Sequence, residues 1–137
     1  MTRATVAALL AAALSGACGD DEATRPSYAG SDVVQACSQR STWSQSTSSA
    51  CLTCLVTVQQ APCGCPAAGD LGGLCEREAQ AVRDDQACSK GADACALACD
   101  RTDCGCLEAC YASAASCRAL AGARDGCVAA TCDAACR

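Results

Sequence analysis

Cysteine is the residue type with the greatest chemical potential in this sequence, at 17 of 137 positions. Six of them are separated by 7, 4, 7, 4 and 7 residues, so at about 100° per residue they share one stripe of a helix: Cys88, Cys95, Cys99, Cys106, Cys110 and Cys117. If the chain turns back around residues 100–105, it forms two antiparallel helices, and each cysteine of the stripe on one helix lies opposite a cysteine on the other. Disulfide torsions suit bridges between two helices better than bridges along one. We therefore predict three disulfides, against the alternative of one long helix through Gly105: Cys95–Cys110, Cys99–Cys106 and Cys88–Cys117.

The spacing of Cys51 and Cys54 matches the CxxC motif of thiol–disulfide oxidoreductases. In that interpretation Cys51 would be an attacking thiolate that exchanges disulfides. No strand is predicted before the motif and no βαβ pattern surrounds it. We therefore expect a structural role for both cysteines, and a redox enzyme is the remote alternative.

The composition excludes several classes of catalytic site. The chain contains no histidine, which removes Ser-His-Asp and Cys-His catalysis and histidine-ligated metal centres. No GxGxxG or GxxxxGKS motif occurs, so the sequence does not support nucleotide chemistry. Acidic pairs are interpreted as solvated faces or helix caps: Glu76/Glu78, Asp84/Asp85 and Asp100/Asp103. We predict no catalytic residue, no cofactor and no enzymatic activity.

A soft-metal site is the principal alternative, because thiolates select Cu(I) and Zn(II). CxxxC pairs recur in Ala-rich segments between residues 94 and 136, and in this the chain resembles the cysteine-lined four-helix bundles that store Cu(I). The resemblance implies these ligands: Cys95, Cys99, Cys106, Cys110, Cys132 and Cys136. The chain departs from such bundles in lacking histidine and in having Met1 as its single methionine. Metal binding also needs reduced thiols, which an oxidising compartment disfavours.

The N-terminal segment predicts export. A positive charge at Arg3 precedes a short apolar run and three small residues, so residues 1–17 are interpreted as a signal peptide. The run Leu14-Ser15-Gly16-Ala17-Cys18 resembles the bacterial lipobox, which implies lipidation of Cys18. It departs from the usual pattern at Ser15, where the lipobox prefers leucine. Sixteen cysteines, an even number, remain after Cys18.

Large apolar side chains are scarce after the predicted leader. This part of the sequence has no Phe, Ile or Met, and its larger aliphatic residues are seven Leu and six Val. Burying each contributes about 1.5–3 kcal/mol, whereas ordering each residue costs about 1 kcal/mol or more. We therefore predict that up to eight disulfides, at about 2–4 kcal/mol each, stabilise the fold in an oxidising compartment.

The charge balance is acidic. The whole chain has a formal net charge of −5, and removing Arg3 with the leader leaves nine basic and fifteen acidic residues, a net charge of −6. This balance disfavours nucleic acid and anionic membrane surfaces as electrostatic partners. We expect no nucleic-acid partner, and membrane contact only through a lipid on Cys18.

Helix-forming residues dominate the segments between Gly and Pro positions, while β-branched and aromatic residues are scarce. The predicted fold class is small, all-α and disulfide-rich, with short helices and helical hairpins. We expect a flexible acidic tether over 18–30 and a cysteine-rich helical domain over 31–137. The predicted helices cover 32–42, 49–60, 73–84, 92–101, 106–121 and 127–136, with candidate caps at Ser31, Ser48 and Asp125.

A weak internal repeat aligns residues 35–38 with residues 86–89, and several of the cysteines that follow also align. This indicates two degenerate repeats, 31–87 and 88–137. With so few other large side chains, Trp43 and Tyr111 are expected to be buried, whereas Arg118 and Arg124 are assigned to an exposed polar face.

As a whole the sequence resembles the cysteine-rich exported lipoproteins of bacteria. The resemblance implies an outer-membrane, cell-surface or periplasmic location if Cys18 is lipidated, and secretion otherwise. It implies no activity. The expected function is a structural or interaction module of the cell envelope, whose partner is an unknown protein or surface ligand.

Overall fold

Short helices form where the alanine-rich segments are bounded by capping side chains and tight turns. The computed structural model describes residues 25–60 and 72–137, and within them the chain forms seven helices and no strand. The helices are α1 (Val33–Arg40), α2 (Ser49–Thr57), α3 (Glu76–Asp84), α4 (Gln86–Lys90), α5 (Ala92–Leu97), α6 (Cys104–Tyr111) and α7 (Ala115–Cys136). The prediction of a small all-α, disulfide-rich fold is confirmed.

Side-chain caps define several of the helix starts. Ser48 caps α2 as predicted, its Oγ accepting from the Cys51 N–H at 3.1 Å. Asp32, one residue after the predicted Ser31, caps α1 by accepting from the Val34 N–H. A carboxylate accepts hydrogen bonds from the free N–H groups of a first turn and favours its positive dipole end, which makes it a strong cap.

Two predicted helices differ from the observed ones at their junction. The expected break between 121 and 127 is wrong, because α7 continues through Gly122 and Gly126. A Cβ at Gly122 would overlap the Ser31 carbonyl oxygen, and one at Gly126 would lie 2.6 Å from Ser31 Oγ. These glycines therefore allow the segment before α1 to pack directly on α7. Asp125, a predicted cap, lies in the middle of α7 and is buried.

The long helix α7 lies at the centre of the described fold and contacts α1, α2, α3, α5 and α6. Two groups of buried side chains lie against it. The first group lies around the C-terminal half of α7 and includes Trp43, Val58 and Val128. The second lies around its N-terminal half and includes Val82 and Tyr111. Both aromatic side chains that the sequence assigns to the interior, Trp43 and Tyr111, are buried as predicted.

Sulfur and alanine make up much of the interior. Among the described residues, the buried aliphatic side chains larger than alanine are Val33, Val58, Val82, Leu107 and Val128, whereas nine buried positions are cysteines. Transfer of so few aliphatic groups from water contributes little compared with the ordering of the chain. Covalent links between helices therefore carry an unusually large share of the stability.

Residues 25–30, which the sequence assigns to the flexible tether, lie against the helices. Arg25 forms an ion pair with Glu78 at 2.7 Å, and Tyr28 packs on the first buried group. In the structure an ion pair and an aromatic contact thus connect this part of the predicted tether to the helices. The predicted leader, the lipidation residue Cys18 and the start of the tether lie outside the described residues, as do Cys63 and Cys65.

The two predicted repeats do not pair their cysteines separately. Each of the four described cysteines of 31–87 is bonded to a cysteine of 88–137. In the described ranges, no helix is both long enough and apolar enough to cross a membrane.

Candidate functional site

All fourteen cysteines of the described segments are paired, in seven disulfides. Their Cα–Cα distances run from 4.7 to 5.9 Å, inside the range of about 4.4–6.8 Å that a disulfide requires. The pairs are Cys37–Cys104, Cys51–Cys136, Cys54–Cys132, Cys75–Cys127, Cys88–Cys117, Cys95–Cys110 and Cys99–Cys106.

The helices α5 and α6 form the hairpin that the 7-4-7-4-7 spacing predicts. Its two bridges, Cys95–Cys110 and Cys99–Cys106, have Cα–Cα distances of 5.7 and 5.9 Å. The alternative of one long helix through Gly105 is wrong, since α5 ends at Leu97 and α6 begins at Cys104. Asp103 produces this new start, because its carboxylate accepts from the Cys106 N–H at 2.9 Å.

The third pair of the same stripe joins different helices. Cys88 lies in α4 and Cys117 in α7, and their Cα atoms are 5.0 Å apart. The structure thus contains the three disulfides that the spacing predicts, but their cysteines are distributed over four helices and not two. The additional breaks occur at Gly91, between α4 and α5, and at residues 112–114, between α6 and α7.

Cys51 and Cys54 both bond to the last turns of α7. Cys51 pairs with Cys136 and Cys54 with Cys132, and all four are buried. The CxxC motif therefore holds α2 antiparallel to the end of α7 in the structure. A thiolate at Cys51 would require prior reduction of a buried bridge.

Two further bridges have no signal in the sequence spacing. Cys37–Cys104 links α1 to α6 across 67 residues, and Cys75–Cys127 links the start of α3 to α7 across 52. Their partners are brought together by helix packing on α7 and not by a shared periodicity. Sequence reasoning could identify these cysteines as structural but not assign their partners.

The structure brings together only part of the proposed metal-ligand set. The sulfurs of Cys99, Cys106 and Cys110 lie within 4.8 Å of one another, and those of Cys99 and Cys110 are 3.8 Å apart. Cys132 and Cys136 belong to the other buried group, bonded to α2. All six predicted ligands are in disulfides, so a soft-metal site at the hairpin would first need reduction.

A buried ion network lies where α5, α6 and α7 meet. Arg124, which the sequence assigns to an exposed face, is mostly buried and contacts Asp93 and Asp125 at 2.9 Å each. The Tyr111 hydroxyl donates to Asp93 at 2.8 Å. The prediction for Arg124 is wrong because two buried carboxylates compensate its charge. Arg118, by contrast, is partly exposed and pairs with Asp32.

The network shifts two ionisation equilibria. Burial raises the pKa of the Tyr111 hydroxyl, and its hydrogen bond to the Asp93 carboxylate raises it further. Burial alone would lower the pKa of Arg124, but the neighbouring Asp125 and Asp93 carboxylates outweigh it and raise the pKa. Tyr111 is therefore a neutral donor and Arg124 a fixed cation at any physiological pH.

Glu78 is a second buried charge that the sequence places on a solvated face. Its carboxylate accepts from Arg25 at 2.7 Å and from Arg77 at 3.1 Å. Burial is the largest single influence and acts to raise the pKa of Glu78, but the contacts with Arg25 and Arg77 and a backbone hydrogen bond together outweigh it, so the pKa is lowered. The other acidic pairs agree better with prediction, since Asp85 and Asp103 cap α4 and α6.

Next to the ion network, an open cleft of about 380 Å³ lies between α2 and the α5–α6 hairpin. Three arginines and three aspartates line its charged part: Arg40, Asp93, Asp100, Arg101, Arg124 and Asp125. Its apolar part is formed by residues on opposite walls: Leu55, Val56, Ala96, Leu97, Leu107 and Val128. This volume lies in the range of about 300–1,000 Å³ that is typical of small-ligand sites.

The C-terminal turn of α7 carries a polar cluster outside the cleft. Asp133 accepts from the Trp43 indole N–H at 2.9 Å, from Gln39 at 3.2 Å and from Arg137 at 2.6 Å. The Arg137 hydrogen bond, followed by those of Trp43 and Gln39, lowers the pKa of Asp133 to about 2. This cluster fixes the orientation of Trp43 and ties the end of α1 to α7.

Comparisons with known proteins find no matching family model, no similar curated protein and no similar solved structure.

Proposed function

We propose that this chain is an exported, lipid-anchored structural or interaction module of the cell envelope or surface, with disulfides in place of a large apolar core. The observation that carries the proposal is the pairing of every described cysteine in a helical fold with few large aliphatic contacts. Seven disulfides indicate an oxidising environment. The lipid anchor at Cys18 and the envelope location are the finer parts of the proposal.

The role as a binding module is supported by the cleft, whose walls belong to separately crosslinked helices. Disulfides on both walls reduce the conformational entropy that ordering a binding surface would cost. The exposed side chains of Val56 and Leu97, 54% and 77% accessible, also remain available to a partner.

The experiment compares oxidised protein with protein that has been fully reduced and alkylated in chelator. We expect almost no free thiol in the oxidised sample, cooperative thermal unfolding by circular dichroism, and loss of that transition after reduction. A reduced protein that still unfolds cooperatively at the same temperature would contradict the proposal. Palmitate labelling of the wild type and of Cys18→Ala tests the anchor separately.

A soft-metal protein is the second candidate, favoured by the hairpin sulfur cluster of Cys99, Cys106 and Cys110. In this function the purified protein would hold reduced thiols and stoichiometric Cu(I) or Zn(II). Metal analysis and thiol titration of the same native sample separate the two candidates, because the first requires disulfides and the second requires thiolates.

A further inference from the structure

The hairpin of α5 and α6 carries two disulfides that lie against each other. The sulfurs of Cys99 and Cys110 belong to different bridges and are 3.8 Å apart, and the sulfur of Cys106 lies within 4.8 Å of both. The first separation is only slightly longer than the distance of about 3–3.5 Å between reacting atoms in a near-attack geometry. A thiolate formed at Cys99 would therefore already lie beside the sulfur of the neighbouring bridge.

The two hairpin bridges are also more accessible than the other described bridges. Cys95 is exposed, and its three companions in the hairpin are partly exposed. Nine of the ten cysteines in the other five described bridges are buried, Cys104 being the exception. A dissolved thiol thus reaches the hairpin bridges without prior opening of the fold, while the remaining bridges hold the helices together.

Thiol–disulfide exchange proceeds by attack of a thiolate on one sulfur of a bridge, which expels the other sulfur. When a monothiol, deprotonated to RS⁻, attacks Cys106, a bond from RS to Cys106 forms, the Cys99–Cys106 bond breaks and Cys99 leaves as a thiolate. Cys99 then attacks the adjacent Cys110, so that a Cys99–Cys110 bond forms and Cys95 leaves as a thiolate. Cys95 takes a proton from water, and the number of disulfide bonds is unchanged.

The position of each thiol on the hairpin decides whether the second step occurs. Cys99 follows α5 and Cys110 lies in α6, so a bridge between them crosses the hairpin as the existing bridges do. Cys106 and Cys110 are four residues apart on α6, where side chains point in nearly parallel directions and fit the disulfide torsion poorly. Attack on Cys99, which releases Cys106 instead, is therefore reversed and leads no further.

We propose that the α5–α6 hairpin is a thiol–disulfide exchange site that accepts a small monothiol at Cys106 and releases a thiolate at the exposed Cys95. Entry and exit lie in different bridges, and the contact between Cys99 and Cys110 connects them. This activity goes beyond the module function, because it gives the hairpin a reaction with dissolved thiols. It uses the accessible bridges of the chain and not the buried CxxC motif.

Two matched variants test the transfer from Cys99 to Cys110 without an added thiol. Each frees one hairpin thiol by removing its partner, since Cys106→Ser leaves Cys99 and Cys99→Ser leaves Cys106. Oxidised samples of both are held at about pH 8, where part of a thiol is ionised, then quenched in acid and alkylated. Peptide mass mapping identifies the labelled cysteine.

We expect at least about one tenth of the hairpin label of Cys106→Ser on Cys95, because one cross-hairpin bridge replaces another of similar stability. In Cys99→Ser the hairpin label stays on Cys106, since the sulfur of Cys110 is then reachable only along one helix. Label on Cys99 alone in the first variant, or equal label on Cys95 in both, overturns the proposal.

The wild type keeps the test decisive if a variant folds poorly. Oxidised protein is treated with limiting glutathione, quenched in acid and alkylated, and the species with one opened bridge are mapped without reduction. We expect glutathione on Cys106, the alkyl label on Cys95 and a new Cys99–Cys110 bridge. If every such species keeps the Cys95–Cys110 bridge, the proposal is wrong. That result with a disulfide-dependent fold leaves the module function intact, whereas a fold that survives full reduction contradicts the module function itself.

Discussion

The disulfides around the C-terminal half of α7 differ from those of the hairpin in both span and exposure. The long bridges, Cys51–Cys136, Cys54–Cys132 and Cys75–Cys127, span 85, 78 and 52 residues and have buried sulfurs. The hairpin bridges, Cys95–Cys110 and Cys99–Cys106, span 15 and 7 residues and are exposed or partly exposed. The long bridges thus determine the tertiary fold, while the hairpin bridges reinforce a local turn.

The largest expected difference is thermodynamic. Replacing Cys75 and Cys127 by alanine opens a long loop and removes two buried sulfurs, so we expect a loss of about 4 kcal/mol in the free energy of unfolding. Replacing Cys99 and Cys106 opens a short exposed loop and should cost about 2 kcal/mol. Urea unfolding of both double variants measures the difference. Equal losses would show that span and burial do not distinguish the two sets.

The two sets should also differ in the rate of reduction. A reductant reaches the hairpin bridges directly, whereas the long bridges require local opening at a cost of a few kcal/mol. We expect the hairpin bridges to be reduced about a hundredfold faster under native conditions. Timed alkylation followed by peptide mass mapping gives the order. Labelling of Cys51 or Cys54 before the hairpin cysteines would contradict the expected order of reduction.

Glycine substitutions test how tightly each region packs. Gly122→Ala would place a Cβ against the Ser31 carbonyl, so we expect a loss of about 2–3 kcal/mol in stability. Gly105→Ala in α6 meets only Asp103 Oδ1 at 3.6 Å, an ordinary contact, and should stabilise by about 0.5–1 kcal/mol. Thermal unfolding of both variants provides the measurement. Destabilisation by Gly105→Ala would indicate tight packing in the hairpin as well.

The smallest expected difference is in acid sensitivity. Because the pKa of Asp133 is lowered to about 2 in the folded protein, its contribution to stability is full above its ordinary pKa of 3.8 and is lost as pH falls toward 2. Asp133→Asn should therefore reduce the pH dependence of stability between pH 4 and pH 2. Asp100→Asn in the hairpin turn should have a weaker effect, because Asp100 is held by Thr102 alone rather than by three side chains. Urea midpoints across this pH range compare the two variants. A larger effect of Asp100→Asn would contradict the expectation that Asp133 contributes more to the acid sensitivity than Asp100.

The same contrast explains which features the sequence could predict. The hairpin partners follow from the spacing, because in two antiparallel helices a 7-4-7 pattern places each cysteine of one helix opposite a cysteine of the other. The partners of Cys51, Cys54 and Cys75 depend on how α2 and α3 pack on α7, and no local pattern records that packing.

Two wrong predictions have a common physical origin. Gly122 and Gly126 have low helix propensity and predict a break, but in the structure they permit close backbone approach within one continuous helix. Arg124 has the composition of a surface residue, but buried carboxylates compensate it. In both cases tertiary contacts override the local preference. Because the sequence gives no sign that Arg124 is buried, it could not predict the cleft beside this residue either.

The connection of α2 to the last turn of α7 sets an order for maturation. In a chain made from its amino end, Cys51 and Cys54 emerge early but stay unpaired until residues 132 and 136 have followed. The cysteines of the hairpin have their partners within 15 residues and can pair before residues 132 and 136 have been made. The native pairing therefore requires that Cys51 and Cys54 form no lasting bond with nearer cysteines before Cys132 and Cys136 are available.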